Sequence, residues 1–285
     1  MSIISYAQNF EDVMLWRCFK NIDNGYYIDV GAAWESVDSV TKLFYERGWS
    51  GINIEPNNSL FEVLSQNRSR DINLNVAVSD TPGKVDICFL DNAGLSTAVE
   101  EIAEKHQLSG EKGTVKAVEA VTLDNIWDTY VPTNQDVHFL KIDVEGLEYK
   151  VIKGFSLNQN RPWVILVEST LPMTQTECHD EWETLLIEHG YHFVYADGLN
   201  RFYIAEEKLA LKSNFKYPPN IWDNYITAPM SRKNEENTTL IELLDSKQKE
   251  IESLNETLET IRSSNCWKIT YPYRFLANKF FGKRR

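Results

Sequence analysis

The chain has 285 residues, of which 42% are hydrophobic, enough for one substantial core with sequence left over for appendages. The formal net charge of −13 disfavours a nucleic-acid-binding protein, because phosphates would be repelled at long range. The four cysteines form no CxxC pair and no zinc-site spacing, so we expect reduced thiols in a cytosolic protein. We also expect no signal peptide and no membrane span, since no run approaches the roughly 18 apolar residues that a span needs.

Strand and helix patterns alternate along most of the chain. Short apolar or alternating runs predict strands at residues 25–33, 49–56, 72–80, 84–90, 115–121, 137–144 and 163–170. Helical spacing predicts helices at residues 37–47, 58–68, 123–130, 147–153 and 181–189. Asn58 or Ser59 is the expected cap of the second helix. Residues 91–114 read as a polar excursion with a loop and a short helix.

This alternation predicts an α/β fold with a mostly parallel sheet that is covered on both faces. Residues 191–206 read as a hairpin around Asp197 and Gly198, which would add one antiparallel strand at an edge. In doubly wound sheets of this kind, ligands bind beyond the carboxyl ends of the strands. The functional residues are therefore expected where the predicted strands end.

A heptad pattern follows the α/β region. Apolar residues recur in steps of four and three, with Lys247 as the one interruption, at Leu240, Leu244, Ile251, Leu254, Leu258 and Ile261. The narrow stripe and polar flanks favour a coiled coil of two or three chains. The alternative is one amphipathic helix that lies on the body.

The last segment is basic and aromatic. Seven Lys or Arg residues and no acid occur from Arg262 to Arg285, which leaves −20 on residues 1–261. Among them stand Trp267, Tyr271, Tyr273, Phe275, Leu276, Phe280 and Phe281. This composition predicts docking to an anionic membrane surface or to an acidic partner. Packing against a neighbouring subunit is the alternative.

The turn after the first strand excludes a dinucleotide fingerprint. It reads DVGAAWE from Asp29, with one glycine in place of GxGxxG, and Glu35 would repel a phosphate. S-adenosylmethionine has no phosphate and carries cationic groups, so the Asp29 carboxylate would favour it. Glu55 ends the second strand and could accept both ribose hydroxyls. Each acid alone could equally be a charge at a helix N-terminus or in a solvated loop.

The stretch HFLKIDVEGLEYKVIKG carries three charges at alternate positions. If the strand continues to Val144, Lys141, Asp143 and Glu145 share one face, where burial is costly unless the charges are paired or reach a polar cavity. Glu168, at the end of a later strand, would point into the same crevice. A local ion pair without a reactive role is the alternative. No EF-hand spacing or His-rich set supports a metal, so a divalent metal is the less favoured reading.

Four motifs in this order resemble the FkbM-type family of S-adenosylmethionine-dependent methyltransferases: YYIDVGA, GWSGINIEPN, NVAVSDTPG and LKIDVEGLEYKVIKG. The N-terminal SYAQNFEDVML is similar to that family's lead-in segment, so the resemblance covers roughly residues 4–226. It implies a class I methyltransferase fold, doubly wound and seven-stranded. The turn residues Trp34 and Glu35 depart from the family, whose members commonly have a glycine there.

The resemblance also implies site residues. Asp143 and Glu145 become active-site acids, beside Lys141 and Glu168. Asp80 would lie near the adenine, and Gln8, Glu11 and Asp12 would form part of a lid. The cofactor-binding set is then Gln8, Asp12, Asp29, Gly31, Ala32, Glu55, Pro56 and Asp80. His106 could approach a substrate, but surface or structural roles are expected for it and for His138.

The C-terminal SSNCWKITYPYRF resembles appendages of bacterial surface-polysaccharide enzymes. The sequence therefore predicts a methyltransferase domain (1–228), a coiled-coil helix (229–263) and a docking tail (264–285). We expect O-methylation of a sugar hydroxyl at the cytoplasmic face of the membrane, with Asp143 as first candidate for general base, a homo-oligomer, and a glycosyltransferase or anionic lipid as partner. The alternatives are a metal-dependent methyltransferase of a small natural product and a non-catalytic scaffold.

Overall fold

The structure is a computed structural model that describes residues 2–90, 96–97, 113–171 and 174–281. It divides into two compact units, Met1–Thr227 and Ala228–Arg285. Most of the predicted excursion at residues 91–114, including His106, lies outside the described residues. Only Ser96–Thr97 and the start of the next strand fall inside them.

A seven-stranded sheet forms the centre of the first unit and confirms the predicted doubly wound α/β class. Its order is β11-β12-β10-β9-β2-β3-β4, and β12 alone runs against the other six. The strands of this sheet are β2 (Tyr26–Val30), β3 (Ser50–Ile54), β4 (Ile72–Leu74), β9 (Phe139–Ile142), β10 (Val164–Glu168), β11 (Tyr191–Ala196) and β12 (Asn200–Ala205). The antiparallel strand stands one position inside the edge, because its hairpin partner β11 takes the edge itself.

Helices cover both faces of this sheet, as parallel strands require. Their bounds are α1 (Glu11–Phe19), α2 (Lys42–Glu46), α3 (Asn58–Asn67), α4 (Leu123–Tyr130), α5 (Glu148–Lys153) and α6 (Asp180–Glu188). Buried residues of α4, α5 and α6 pack in one core cluster, and those of α1 and α2 pack in the other. Two 3-10 helices follow the hairpin, Glu206–Phe215 and Ile221–Asp223.

Two smaller sheets accompany the large one. The order β5-β8-β6-β7 joins β5 (Ala77–Val78), β6 (Gly83–Leu90), β7 (Ser96–Thr97) and β8 (Gly113–Val121). A parallel pair joins β1 (Ile3–Ser5) to β13 (Tyr225–Thr227). The single strand predicted at residues 72–80 was therefore wrong, since β4 and β5 belong to different sheets. Neither β1 nor α1 was predicted.

Two predicted helix bounds also need correction. The helix expected at 37–47 is only α2, because Asp38 adopts a φ of 53° and interrupts any helix there. The cap of α3 is Asn57, whose side chain accepts from the Ser59 amide, and not Asn58 or Ser59. In both cases the backbone conformation, which the apolar spacing does not encode, sets the boundary.

The strand predicted at 137–144 is too long. β9 ends at Ile142, and the chain then turns through Glu145 and Gly146, which have φ values of 52° and 102°. Lys141 is thus the only charge of the three that lies on the strand, and Asp143 and Glu145 belong to the turn. The prediction that all three charged residues lie on one face of the strand was wrong. All three still lie at or just beyond the carboxyl end of the strand.

A buried arginine forms hydrogen bonds to the loop that follows β2. Arg68 is fully buried, and its guanidinium donates to the Glu35 carbonyl at 2.8 Å and to the Ser39 hydroxyl at 3.0 Å. Asp71 lies 3.7 Å from it and also accepts from the Tyr27 hydroxyl. A buried charge needs such partners, so the loop between β2 and α2 is held in place.

The second unit is helical: α7 (Ala228–Ser263), α8 (Asn265–Ile269) and α9 (Tyr271–Phe281). The six apolar residues of the heptad stripe on α7 are all exposed. None of the helices in the described part of the chain is both long and apolar enough to cross a membrane. All four cysteines are unpaired.

Candidate active site

A cavity of about 600 Å³ opens at the carboxyl ends of β2, β3, β9 and β10. This volume is within the range of small-molecule sites. The predicted residues that line it are Gln8, Gly31, Ala32, Pro56, Lys141, Asp143, Glu145 and Glu168. Eight of the twelve predicted site residues therefore meet in one place. Asp12, Asp29, Glu55 and Asp80 do not line it.

The Gly31 turn forms one wall of the cavity. Gly31 has a φ of 82°, and the amides of Gly31 and Ala32 both donate to the Ile54 carbonyl, at 3.0 and 3.1 Å. A Cβ on Gly31 would lie 1.8 Å from the Asp143 carbonyl oxygen. The close approach of these two backbone segments therefore requires glycine whether or not a ligand binds.

Lys141 lines the cavity and lies between two carboxylates. Its Nζ donates to the Gly31 carbonyl at 2.9 Å and lies 3.3 Å from Asp29 Oδ1 and 3.2 Å from Asp143 Oδ2. Burial opposes its charge, but Asp143 and Asp29 outweigh burial and raise the Lys141 pKa above its ordinary value. Burial raises the pKa of Asp29, and Lys141 limits that rise. Asp29 thus forms an ion pair with Lys141, and its predicted contact with the cofactor stays a prediction.

Three carboxyl groups, including that of Asp143, lie close together in the cavity lining. One oxygen from each of Asp143, Glu145 and Glu168 lies within 4.8 Å of the others. Burial, then Asp143 and Glu145, raises the pKa of Glu168 to about 11, and burial with Asp143 raises that of Glu145 to about 8. Burial and the neighbouring carboxyl groups therefore favour the protonated forms of Glu145 and Glu168.

Glu148 was not among the predicted site residues, yet it shapes this cluster. Its Oε1 accepts from the amides of Val144 and Gly146, both at 3.1 Å, and the residue is buried. These bonds hold the turn in which Glu145 adopts its left-handed conformation. The only sequence signal was an acid in the first turn of a short helix, which ordinarily indicates a favourable helix dipole contact.

Glu55 supports the turn instead of lining the cavity. Its two carboxylate oxygens accept from the amides of Ala33 and Asn57, at 2.9 and 2.7 Å. Burial raises its pKa to about 7. The predicted contact with ribose hydroxyls stays a prediction. Its neighbour Pro56 does line the cavity.

The other predicted acids have partners elsewhere. Asp80 pairs with Lys153 at 3.0 Å, and Asp12 accepts from the Tyr6 amide and the Ser5 hydroxyl. Glu11 accepts from the Asn200 side chain at 2.7 Å. Of the residues predicted to form a lid, Gln8 lines the cavity while Glu11 and Asp12 hold the N-terminal segment.

Glu35 and His138 lie outside the cavity lining as well. The Glu35 carboxylate accepts from the Ser36 hydroxyl at 2.6 Å and lies 3.4 Å from Lys42. Its charge therefore does not enter the cavity, although the sequence suggested that it would. His138 is buried, accepts from the Tyr26 amide and packs against Trp163, which is the structural role expected for it.

The cavity lining suits a cationic nucleoside better than a phosphate. Asp38, Asp143, Glu145 and Glu168 bring four carboxyl groups to it, and Lys141 is the only basic side chain among the described lining residues. Ile54, Val76 and Val78 add an apolar wall. An ammonium and a sulfonium are attracted by such a lining, whereas a phosphate is repelled. The residues present therefore fit S-adenosylmethionine.

A doubly wound seven-stranded sheet with this acidic cavity at its carboxyl ends defines a class I methyltransferase-like protein. The family model described as Methyltransferase FkbM domain matches residues 29–193, more than half of the chain. The chain therefore belongs to the FkbM methyltransferase family, which generally uses S-adenosylmethionine. No curated protein matches the sequence.

Replacement of Lys141 by Met should destabilise the protein by about 3–5 kcal/mol, because Asp29 would remain buried without its cation. Unpaired, Asp29 binds its proton more tightly in the folded than in the unfolded chain. The difference from wild type should therefore grow as pH rises from 5 to 8. Urea unfolding at both pH values measures it.

Lys153→Met is the matched control, because it removes an exposed partner of Asp80 and should change stability far less. The double variant Lys141→Met/Asp29→Asn should recover part of the lost stability. Equal losses for Lys141→Met and Lys153→Met would contradict the central role of Lys141.

Proposed function

We propose that the protein is an S-adenosylmethionine-dependent O-methyltransferase that acts on a sugar hydroxyl during assembly of a bacterial surface polysaccharide. The observation that carries the proposal is the position of Asp143, which is paired with Lys141 and lines an acidic cavity beside the Gly31 turn. The family supports methyl transfer, and the resemblance of the C-terminal tail to polysaccharide enzymes supports the sugar acceptor.

Particular residues would hold the cofactor. Gly31, Ala32 and Pro56 would form the wall beside its nucleoside, and the lining carboxyl groups would complement its positive charges. When bound, S-adenosylmethionine supplies an activated methyl group on a sulfonium centre. The apolar residues Ile54 and Val76 would exclude water from that part of the cavity.

The chain's own contribution is to orient the hydroxyl and accept its proton. Asp143 is the proposed acceptor of that proton, because it lines the cavity and forms an ion pair with Lys141. Glu145 and Glu168, whose protonated forms are favoured by burial, would donate hydrogen bonds to acceptor oxygens. Glu148 would keep the turn, and so Asp143, in position.

A metal-dependent methyltransferase of a small natural product is the second candidate. The observation in its favour is the cluster of Asp143, Glu145 and Glu168, whose oxygens lie within 4.8 Å of one another. Divalent cations such as Mg²⁺ take carboxylate oxygens as ligands. Asp143, Glu145 and Glu168 would hold the cation, which would supply a positive charge that polarises the acceptor hydroxyl.

We expect surface glycans from cells that lack this protein to lose an O-methyl group that the wild-type gene restores. Asp143→Asn should fail to restore it, because the amide cannot take the proton. Asp128→Asn is the control, since Asp128 is an exposed acid on α4 that does not line the cavity. Mass spectrometry of the glycans compares the four strains.

Unchanged glycans in all strains would contradict the sugar acceptor. Full cellular function of Asp143→Asn without methylation would support the scaffold hypothesis instead. To separate the metal-dependent candidate, purified protein is assayed with and without a chelator on glycans from the deletion strain. Activity that is lost with the chelator and restored by Mg²⁺ supports that candidate.

We also propose that the exposed stripe of α7 pairs with the same stripe of another copy. Leu240, Leu254 and Ile261 occupy one heptad position, and Leu244, Ile251 and Leu258 occupy the other. Lys247, which forms an ion pair with Glu250 of its own helix, interrupts the series.

Leu254→Glu should convert the proposed dimer or trimer into a monomer, because a charge at a buried seam position cannot be paired. Glu252→Gln, two residues away and outside the stripe, should leave the oligomer intact. Light scattering after size exclusion measures the mass of each. A monomeric wild-type chain at micromolar concentration would rule the pairing out.

A further inference from the structure

The C-terminal helices α8 and α9 carry large apolar side chains that the described part of the chain leaves uncovered. Six of them are between 51% and 77% exposed: Ile269, Tyr271, Tyr273, Phe275, Leu276 and Phe280. A run of this density is unusual on a protein surface and marks a contact with another molecule.

In α9 these side chains are arranged around the helix in an ordered way. Tyr273, Leu276 and Phe280 follow one another in steps of three and four, so they lie along one face. Tyr271 and Phe275, which are four residues apart, lie on the opposite side of the helix, and Arg274 and Lys279 project between the two apolar sides. An apolar face with flanking basic residues is the pattern of a helix that lies in a membrane interface.

The helix boundaries separate this surface from the heptad stripe. The Ser264 hydroxyl accepts from the Trp267 amide and caps α8, so α7 ends at Ser263. Pro272 stands in the first turn of α9, where proline starts a helix but cannot continue one. The apolar face of α9 is therefore a second surface, distinct from the stripe of α7.

The charge of this segment indicates what covers the surface. The sequence from Arg262 to Arg285 contains seven basic residues and no acid. Arg274 stacks over the Trp267 ring at 3.6 Å, which places a cation beside an aromatic group. Basic residues are attracted to an anionic bilayer, and this attraction adds to the burial of apolar side chains. The basic charge and the exposed apolar side chains therefore both favour binding to an anionic lipid surface.

We propose that α8 and α9 bind an anionic membrane surface, with the Tyr273, Leu276 and Phe280 face in the headgroup region and the basic side chains at the phosphates.

Vesicle flotation with the full chain tests this. The vesicles are phosphatidylcholine alone, or phosphatidylcholine with about 25% phosphatidylglycerol. The bound fraction should be about tenfold higher with the anionic vesicles, and it should fall when NaCl is raised to about 0.5 M, because salt screens the attraction. Absence of binding, or equal binding to both vesicles, would overturn the proposal.

Two double variants separate the apolar contribution to vesicle binding from the electrostatic one. Leu276→Ser/Phe280→Ser should lower binding to anionic vesicles by about tenfold, through lost apolar burial. Lys268→Glu/Lys279→Glu should lower it by a similar factor and weaken the salt dependence. Ile221→Ser and Lys233→Glu are the matched controls, because they remove an exposed apolar group and a basic charge outside α8 and α9.

Circular dichroism with and without vesicles shows whether a variant still forms its helices. If the full chain stays unbound while Leu276→Ser/Phe280→Ser changes only its sedimentation coefficient, the surface is a contact between copies of the chain. That outcome would replace the lipid proposal with a protein contact.

Discussion

The ion pair of Lys141 with Asp29 and Asp143 is the interaction on which the candidate site depends. Asp29 and Lys141 are register partners on the neighbouring strands β2 and β9, so the pair joins the two strands at the centre of the sheet. Burial of either charge alone would be costly, and their mutual attraction makes both tolerable. The Lys141 ammonium also pairs with Asp143, so it compensates negative charge at the edge of the cavity.

From this pair outward, the acids divide into two groups with different tasks. Asp29, Glu55 and Glu148 are buried and bind either a cation or backbone amides, so they hold the strand ends and turns in place. Asp143, Glu145 and Glu168 face the cavity. Because neighbouring carboxyl groups cannot all be ionised, protons or a cation must balance that second group. The chemistry of the cavity follows from this balance.

Most of the fold could be predicted from the sequence, because strand and helix periods are local and the heptad is long. The gathering of Gly31, Asp143 and Glu168 could be predicted too, since parallel strands end at one edge. The role of Glu148 could not, because it depends on amides held by a turn with a left-handed residue. The division of residues 72–80 into β4 and β5 could not be predicted either. It depends on the strands that pair with each of them, and a local sequence pattern does not contain that information.

Calorimetric titration of the purified full chain is the measurement that tests the account most directly. S-adenosylmethionine and its demethylated product should each bind at one site per chain, because both carry an adenosine and an ammonium that the acidic lining would complement. ATP should not bind, because Lys141, the only basic side chain among the described lining residues, is already paired with Asp29 and Asp143. Binding of ATP, or no heat with either form of the cofactor, would contradict the assignment of the cavity.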